Sequence, residues 1–367
     1  MKKIVVVFGT RPEAIKICPL IVELKKIKQF ETIVVVTGQH KQMLEQVLST
    51  FDVSPNYDLS IMKAGQDLFD ITENVLHGMK KIFCEIKPDL VIVHGDTTTS
   101  LASAMAAYYM KIRVAHVEAG LRTYDKDSPY PEEFNRHCIS ILADLNFAPT
   151  EWAKQNLLKE RIDEKSIWVT GNTVIDALKT TIKEEYRHPE LEWCKGKKMV
   201  LVTAHRRENI GEPMRCMFQA IKQVLNEHSD VRAIFPVHLN PKVREICKDV
   251  FSIKDNIHII EPLDVIDFHN FMNASYLILT DSGGIQEEAP SLDKPVLVMR
   301  NTTERPEAVQ ANAVKVIGTS KESVYKEFSR LLDDKDEYYR MSKAVNPYGD
   351  GRASKRIADV ITHFLSR

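Results

Sequence analysis

The sequence lacks the cysteine spacing that binds zinc. Its six cysteines stand at 18, 84, 138, 194, 216 and 247, and none forms a C-x-x-C pair. It also lacks an apolar run of about 20 residues, the length that a membrane helix needs. The apolar start of the chain is interrupted at once by Gly9–Glu13, so no signal peptide is predicted. We therefore expect a cytoplasmic protein with reduced thiols and no membrane partner.

A surplus of charge is missing as well. Lys and Arg number 50 and Asp and Glu 51, for a formal net charge of −1. Because non-specific nucleic-acid binding needs excess positive charge, this balance argues against a nucleic-acid partner. A few local cations could still hold a small anion. The length of 367 residues exceeds what one hydrophobic core usually serves, so two domains are expected.

Two nucleotide-binding fingerprints are absent, since neither G-x-G-x-x-G nor G-x-x-x-x-G-K-[ST] occurs. Buried-strand patterns nevertheless alternate with helical patterns in two series, which is typical of α/β domains with parallel sheets. The predicted strands are 4–8, 32–37, 90–93 and 114–117 in the first series, and 199–203, 232–235, 257–260, 276–280 and 295–298 in the second. We predict two doubly wound α/β domains, 1–171 and 172–350, with a final helix in 351–367 that returns to the first domain.

Three carboxylates stand where ligands bind in such sheets, just beyond the carboxyl ends of strands. Asp96 and Glu118 follow predicted strands, and Glu132 opens a helix. Each has an ordinary explanation: Asp96 as a helix N-cap, Glu118 in an internal ion pair with Arg122, and Glu132 as a partner of the helix dipole. Clustered in a partly dry site, they would instead suit general acid and base chemistry.

A second group of residues is suited to an anion. Arg11 and Lys16 follow a Gly turn that opens a helix, and His205 is followed by two arginines. Solvated charged loops are the ordinary alternative for both. Ser282–Gly284 also opens a helix after a strand and offers hydroxyl and N–H groups to a diphosphate, while Glu288 stands one turn on, where it could bind ribose hydroxyls. The pattern indicates a nucleotide-diphosphate site.

Taken together, these motifs resemble the non-hydrolysing bacterial UDP-N-acetylglucosamine 2-epimerases. They run in order over nearly the whole chain, which makes the resemblance specific. The matching segments are FGTRPEAIK (8–16), HGDTTT (94–99), HVEAGLRT (116–123), PEE-N-R (131–136), TGNTVIDAL (170–178), HRREN (205–209), PVHLNP (236–241), LTDSGGIQEEAPS (279–291), TTERPEA (302–308) and NPYGDG (346–351).

The resemblance implies a GT-B-like fold, in which two Rossmann-like domains face a cleft. It implies reversible conversion of UDP-GlcNAc into UDP-ManNAc, with elimination of UDP to 2-acetamidoglucal and re-addition on the opposite face of C2. The product would supply ManNAc for surface polysaccharide. The resemblance implies no NAD or metal cofactor, a homodimer, and a second UDP-GlcNAc as an allosteric activator.

The residues that match the family's functional positions fall into three sets. The catalytic set is Asp96, Glu118, Glu132 and His205. The substrate and UDP set is Arg11, Lys16, Phe268, Ser282, Gly283, Gly284, Glu288 and Arg305. The allosteric set is Gln39, Gln42, Arg206 and His238.

Three other functions stay open at this point. A GT-B glycosyltransferase would share the Ser282–Glu288 pattern but has less need for three carboxylates. A 2-epimerase for another UDP-2-acetamido sugar would use the same chemistry. A nucleotide-sugar sensor would bind without turnover, and the presence of all three carboxylates argues against it.

Overall fold

The computed structural model describes residues 1–38, 41–63, 65–303 and 305–366, and of residues 41–43 it describes only the backbone. The chain divides into two compact units. The first comprises Met1–Thr180 and the chain from Tyr348 onward, and the second comprises Thr181–Pro347. Residues 172–180 and 348–350 thus belong to the first unit, although the sequence analysis placed them in the second domain. The predicted cleft concerns the relative placement of the units and stays a prediction.

The described part of the first unit contains one sheet of seven parallel strands in the order β3-β2-β1-β4-β5-β6-β7. The strands are β1 (Lys2–Phe8), β2 (Phe30–Val36), β3 (Tyr57–Asp58), β4 (Leu90–His94), β5 (Arg113–Val117), β6 (Leu145–Ala148) and β7 (Ile167–Val169). The helices are α1 (Arg11–Lys25), α2 (Lys41–Thr50), α3 (Leu68–Ile86), α4 (Thr98–Tyr109), α5 (Glu132–Leu142), α6 (Glu151–Lys159), α7 (Thr173–Thr181) and, at the end of the chain, α16 (Ala353–Leu365).

The second unit holds, among its described residues, a sheet of six parallel strands in the order β10-β9-β8-β11-β12-β13. The strands are β8 (Lys198–Thr203), β9 (Val231–Pro236), β10 (Ile257–Ile260), β11 (Leu277–Thr280), β12 (Val296–Val298) and β13 (Val314–Val316). The helices are α8 (Pro189–Trp193), α9 (Glu212–Glu227), α10 (Pro241–Val250), α11 (Val265–Ala274), α12 (Gly283–Glu288), α13 (Pro306–Gln310), α14 (Lys321–Asp333) and α15 (Lys335–Ser342). Two parallel sheets flanked by helices confirm the predicted α/β class.

The central strands contain continuous apolar runs because helices cover both faces of the sheet. Ile4–Phe8 of β1 is fully buried, as is most of β4. The register aligns the strand ends: His94 of β4 pairs with Val117 of β5, and Thr203 of β8 pairs with Thr280 of β11. Side chains that follow these strands therefore emerge at one edge of each sheet, which is where the candidate site residues stand.

The termini of the first unit meet, because α16 packs against α1. The final helix predicted in 351–367 is observed as α16, and it belongs to the first unit. The four strands β3, β6, β7 and β13 were not predicted. No helix in the described part of the chain combines the length and apolar character needed to cross a bilayer.

Candidate functional site

Glu118 stands directly after β5 in the first unit, with a left-handed backbone (φ 65°) that is uncommon outside glycine. Its Oε2 atom lies 2.5 Å from Lys16 Nζ and accepts a hydrogen bond from Asn172 Nδ2 at 3.1 Å. The expected pairing with Arg122 is wrong, since Arg122 binds Glu160 at 2.7 Å. Lys16, which the resemblance assigns to the substrate, is a close cationic partner of this carboxylate.

Asp96 follows β4 and is held by α5. Its Oδ2 lies 2.5 Å from an Arg136 nitrogen, and its main-chain oxygen accepts a hydrogen bond from Asn135 Nδ2 at 2.9 Å. It is not the N-cap of α4, because Thr97 takes that position. Burial raises the pKa of Asp96; Arg136 opposes that rise and the nearby charge of Glu118 adds to it, so the net shift is upward. The protonated form is thereby favoured, which suits a proton donor.

Two consecutive glutamates open α5, and their surroundings differ. Glu133 is 1% exposed and accepts hydrogen bonds from the N–H groups of Thr123 and Tyr124 at 3.0 and 2.9 Å. Its other oxygen lies 3.3 Å from Arg136. Glu132 is half-buried and forms no hydrogen bond or ion pair within the described residues. Glu133 therefore holds the local fold, and Glu132 is the one available for chemistry.

Glu13 organises the edge of the first sheet, and the sequence analysis did not single it out. It is 4% exposed, and its Oε2 accepts the N–H groups of Gly9 and Thr10 at 3.1 and 2.8 Å. Its Oε1 accepts the hydroxyls of Thr97 and Ser100 at 2.8 and 3.1 Å. The loops that follow β1 and β4 are thus tied together by one carboxylate. The Thr-x-x-Glu spacing of a capping box was the signal that could have revealed it.

Arg11 and two buried histidines complete this edge. Arg11 is the partly exposed first residue of α1. His94 Nε2 lies 3.9 Å from Glu118 Oε2, and His116 Nε2 donates to the Gly95 carbonyl at 2.7 Å. Burial lowers the pKa of His94 to about 4 and that of His116 to about 3. Both rings are therefore neutral near pH 7. His116 is a packed, hydrogen-bonding group, whereas His94 is packed and its Nε2 has no hydrogen-bond partner among the described residues.

In the second unit, Asp281 fixes the loop that carries His205. Asp281 is fully buried and accepts the N–H groups of His205 and Arg206 at 3.0 and 2.9 Å. His205 Nδ1 lies 3.2 Å from Asp281 Oδ1, close enough to donate to it. Burial alone would raise the pKa of Asp281, but its hydrogen bonds with His205 and Arg206 outweigh burial and lower it. An ionised Asp281 orients the imidazole so that Nε2 points away from it, and the sequence analysis missed this residue.

Ser282, Gly283 and Gly284 open α12, as the sequence predicts. The Ser282 hydroxyl makes no capping bond to the helix. Glu288, at the end of α12, lies 3.3 Å from Nε2 of the buried His269, whose Nδ1 contacts the Thr181 hydroxyl at 2.7 Å. This arrangement can offer donors to a phosphate and a held carboxylate to a diol.

Arg305 and Phe268 lie on other parts of the second unit. Arg305 precedes α13 and forms an ion pair with the buried Glu287. Phe268 is half-buried on α11, beside His269 in sequence. The Arg305 guanidinium is therefore positioned by a carboxylate of the same helix that ends in Glu288.

The candidate allosteric residues are only partly described. Arg206 Nε donates to the Asp281 carbonyl at 3.2 Å, and the His238 ring stacks on His205 with centroids 5.5 Å apart. Gln39 and the side chain of Gln42 lie outside the described residues. Among the residues that are described, no group of three His, Cys, Asp or Glu side chains could hold a metal ion.

Known proteins are similar to this chain over nearly its whole length. A family model described as UDP-N-acetylglucosamine 2-epimerase matches residues 22–362. The UDP-N-acetylglucosamine 2-epimerase of Bacillus subtilis (strain 168) is 57% identical over 357 residues, which cover 97% of this chain and 94% of that relative. An S. aureus co-structure with UDP superposes with a TM-score of 0.90 at 52% identity, covering 100% of this chain and 97% of the other. The UDP-GlcNAc 2-epimerase from Neisseria meningitidis bound to UDP-GlcNAc gives a TM-score of 0.89 at 46% identity, covering 98% of this chain and 100% of the other.

Proposed function

Because the chain belongs to the UDP-N-acetylglucosamine 2-epimerase family and is an isomerase of that type, we propose that it interconverts UDP-GlcNAc and UDP-ManNAc by eliminating UDP and adding it back. The C2 proton of the sugar is not adjacent to a carbonyl, so its direct removal is unfavourable. Elimination breaks C2–H and C1–O together, and the electron pair of the C–H bond forms the C1=C2 bond of 2-acetamidoglucal. UDP leaves with the C1–O pair. Re-addition returns UDP to C1 and delivers a proton to the other face of C2.

This route needs acid and base groups around C2, and the edge of the first sheet supplies them. The observation that carries the proposal is that Asp96 and Glu118 both stand at that edge, in different surroundings. The pKa of Asp96 is raised, first by burial, whereas Glu118 is in direct contact with the ammonium group of Lys16. Glu132 adds a carboxylate that has no side-chain partner among the described residues. We leave open which of them serves which face of C2.

The second unit is proposed to hold UDP. His205, oriented by Asp281, would donate to the leaving diphosphate, where a preorganised donor stabilises developing charge. Ser282, Gly283 and Gly284 would add hydroxyl and N–H donors at the start of α12. Glu288 would accept the ribose hydroxyls.

The remaining substrate residues are proposed to support the same ligand. Arg11 would contact the diphosphate, Phe268 would lie beside the uracil, and Arg305 would add positive charge. The S. aureus relative in a co-structure with UDP and the N. meningitidis relative bound to UDP-GlcNAc support this choice of ligand. Elimination and re-addition move a proton and no hydride, so the proposal includes no NAD, and it includes no metal.

The wider setting is also proposed. The product would supply ManNAc for surface polysaccharide, and the protein would act in the cytoplasm as a homodimer. All six cysteines are unpaired, which fits a reducing compartment. A second UDP-GlcNAc would act as an activator beside Arg206 and His238.

Proton NMR of UDP-GlcNAc with the purified enzyme in deuterated water tests the proposal. We expect UDP-ManNAc to appear with deuterium at C2 in both sugars, and small amounts of 2-acetamidoglucal and UDP on long incubation. Product without deuterium at C2 would refute the elimination route. Binding of UDP-GlcNAc without deuterium exchange would favour a sensor, and sugar transfer only on addition of an acceptor would favour a glycosyltransferase. Deuterium exchange only with another UDP-2-acetamido sugar would identify that sugar as the substrate.

A further inference from the structure

We propose that Asn172 is a positioning residue that, together with Lys16, fixes one oxygen of Glu118 for proton transfer at C2. This inference rests on the proposed function, because it assigns Asn172 a role in that reaction. The sequence analysis noted the TGNTVIDAL segment as part of the resemblance and gave Asn172 no role.

The orientation of the Asn172 amide is determined by its own contacts. The side chain is buried, and its Oδ1 accepts the N–H of Val174 at 3.1 Å, at the start of α7. Its Nδ2 donates to Glu118 Oε2 at 3.1 Å. Turning the amide over would place a donor against the Val174 N–H and an oxygen against the carboxylate. The arrangement with the NH₂ group on Glu118 is therefore strongly preferred.

Glu118 is a residue that needs such support. Lys16 Nζ meets the same oxygen at 2.5 Å, so an ammonium and an amide share Oε2. Lys16 supplies charge on a flexible stem, whereas Asn172 supplies a fixed direction. With the φ of Glu118 at 65°, the two donors hold a carboxylate whose backbone already points it away from the strand.

Charged and titratable groups on neighbouring elements face Glu118. Lys16 reaches it from α1, and the neutral His94 ring lies 3.9 Å away on β4. Asp96 acts on it electrostatically from the end of β4, and the neutral His116 stands two residues before it on β5. Against this background a donor at Asn172 favours ionised Glu118, and an acceptor there would disfavour it.

Asn172 is itself held by the segment that returns to the first unit. Its N–H donates to the Tyr348 carbonyl at 2.7 Å. Gly171 has φ 89°, and a Cβ placed on it would lie 3.2 Å from that same carbonyl oxygen. The segments around Asn172 and Tyr348 are in such close contact that the position of Asn172 is fixed. A fixed donor is what preorganisation of a reacting carboxylate such as Glu118 requires.

The test is Asn172→Asp, which keeps an oxygen for the Val174 N–H and puts a second carboxylate against Glu118. We expect kcat for epimerisation near pH 7 to fall by about 10²-fold, because misplacing or protonating the base has a cost of that size. The acid limb of the pH–kcat profile should move to higher pH, since a neighbouring carboxylate raises the pKa of Glu118. UDP affinity should be unchanged, because neither Asn172 nor Glu118 is among the proposed UDP contacts.

Asn156→Asp is the matched control. Asn156 is as deeply buried in the same unit, but its Nδ2 donates to the Gly120 carbonyl at 3.0 Å rather than to a carboxylate. It should leave the pH–kcat profile in place. If Asn172→Asp fails to fold, Asn172→Ser replaces it, because serine can accept the Val174 N–H but is too short to reach Glu118.

Two outcomes would overturn the inference. One is a variant at 172 with the wild-type kcat and pH profile. The other is a loss of activity that follows a lower melting temperature while the acid limb stays where it is, which would mean a structural role only. A wild-type enzyme that shows no C2 exchange would instead defeat the proposed function, so the two failures are distinguishable.

Discussion

The two glutamates that open α5 should differ most clearly in their roles, one in stability and the other in catalysis. Glu133→Gln keeps a carbonyl oxygen for the Thr123 and Tyr124 N–H groups but places an NH₂ group against Arg136, 3.3 Å away. Glu132→Gln changes a side chain without described partners. We expect the first to lower stability and the second to lower turnover.

The magnitude follows from the contacts. Removing one partner of a buried ion pair costs about 3–5 kcal/mol. Arg136 retains Asp96 as a second partner at 2.5 Å, so we expect about 2–3 kcal/mol for Glu133→Gln. In a unit of this size that lowers the melting temperature by about 4–12 °C. Glu132→Gln should stay within about 0.5 kcal/mol of wild type, as substitutions without partners do.

Differential scanning calorimetry measures the first effect, and C2 deuterium exchange by NMR measures the second. Glu133→Gln should remain active below its melting transition, whereas Glu132→Gln should lose activity by about 10²-fold or more, the contribution of a positioned acid or base. The prediction is wrong if Glu133→Gln has the melting temperature of the wild type, or if Glu132→Gln turns over at the wild-type rate.

Three further predictions concern other buried groups. Asp281→Asn should lower kcat by about 10²-fold or more, because an amide can hold the His205 ring in the wrong tautomer; a wild-type deuterium exchange rate would contradict this. His116 has a pKa lowered by burial to about 3, against an ordinary value of 6.5. Below pH 6.5, His116 is protonated in the unfolded chain but stays neutral in the folded one. The free energy of unfolding therefore falls as the pH drops from 6.5 towards 3, by about 1.4 kcal/mol per pH unit. His116→Gln should flatten that slope in urea unfolding over this range, and an unchanged slope would assign the acid sensitivity to other groups. Glu13→Ala leaves two backbone N–H groups without their acceptor and should cost about 2–4 kcal/mol by the same unfolding measurement; the matched Glu23→Ala, on the same helix with an exposed lysine partner, should cost less than about 1 kcal/mol. Equal losses in the two variants would contradict the role given to Glu13.

The sequence predicts the long buried strands well because a continuous apolar run has few other places to go in a covered parallel sheet. It does not predict β3, β6, β7 and β13. These strands are two to four residues long. Their pairing depends on a neighbouring strand already in place, and β6 includes the polar Asn146, so no local pattern distinguishes them from loops.

The site separates in a similar way. The positions of Asp96, Glu118 and Glu132 can be predicted from the sequence, because they follow strands or open a helix. Their partners cannot be predicted, because Lys16 and Glu118 are 102 residues apart in the chain and meet only through the order of the strands in the sheet. The expectation that Arg122 pairs with Glu118 relied on closeness in sequence, and tertiary packing gave Arg122 to Glu160 instead.

The division of the first unit between the two ends of the chain has a consequence for synthesis. On the ribosome, Met1–Thr180 emerges long before Tyr348 and the residues after it, yet all belong to one compact unit. The second unit, by contrast, is a single uninterrupted stretch that can fold as soon as it is out. Until α16 has been synthesised, the face of α1 that packs against it lacks this partner, and that face is covered only when Ile357, Ala358 and Ile361 are buried. A chain that ends before α16 therefore exposes the apolar face of α1 that α16 would otherwise cover. A chaperone or a protease would distinguish an incomplete copy from a complete one by this exposed face.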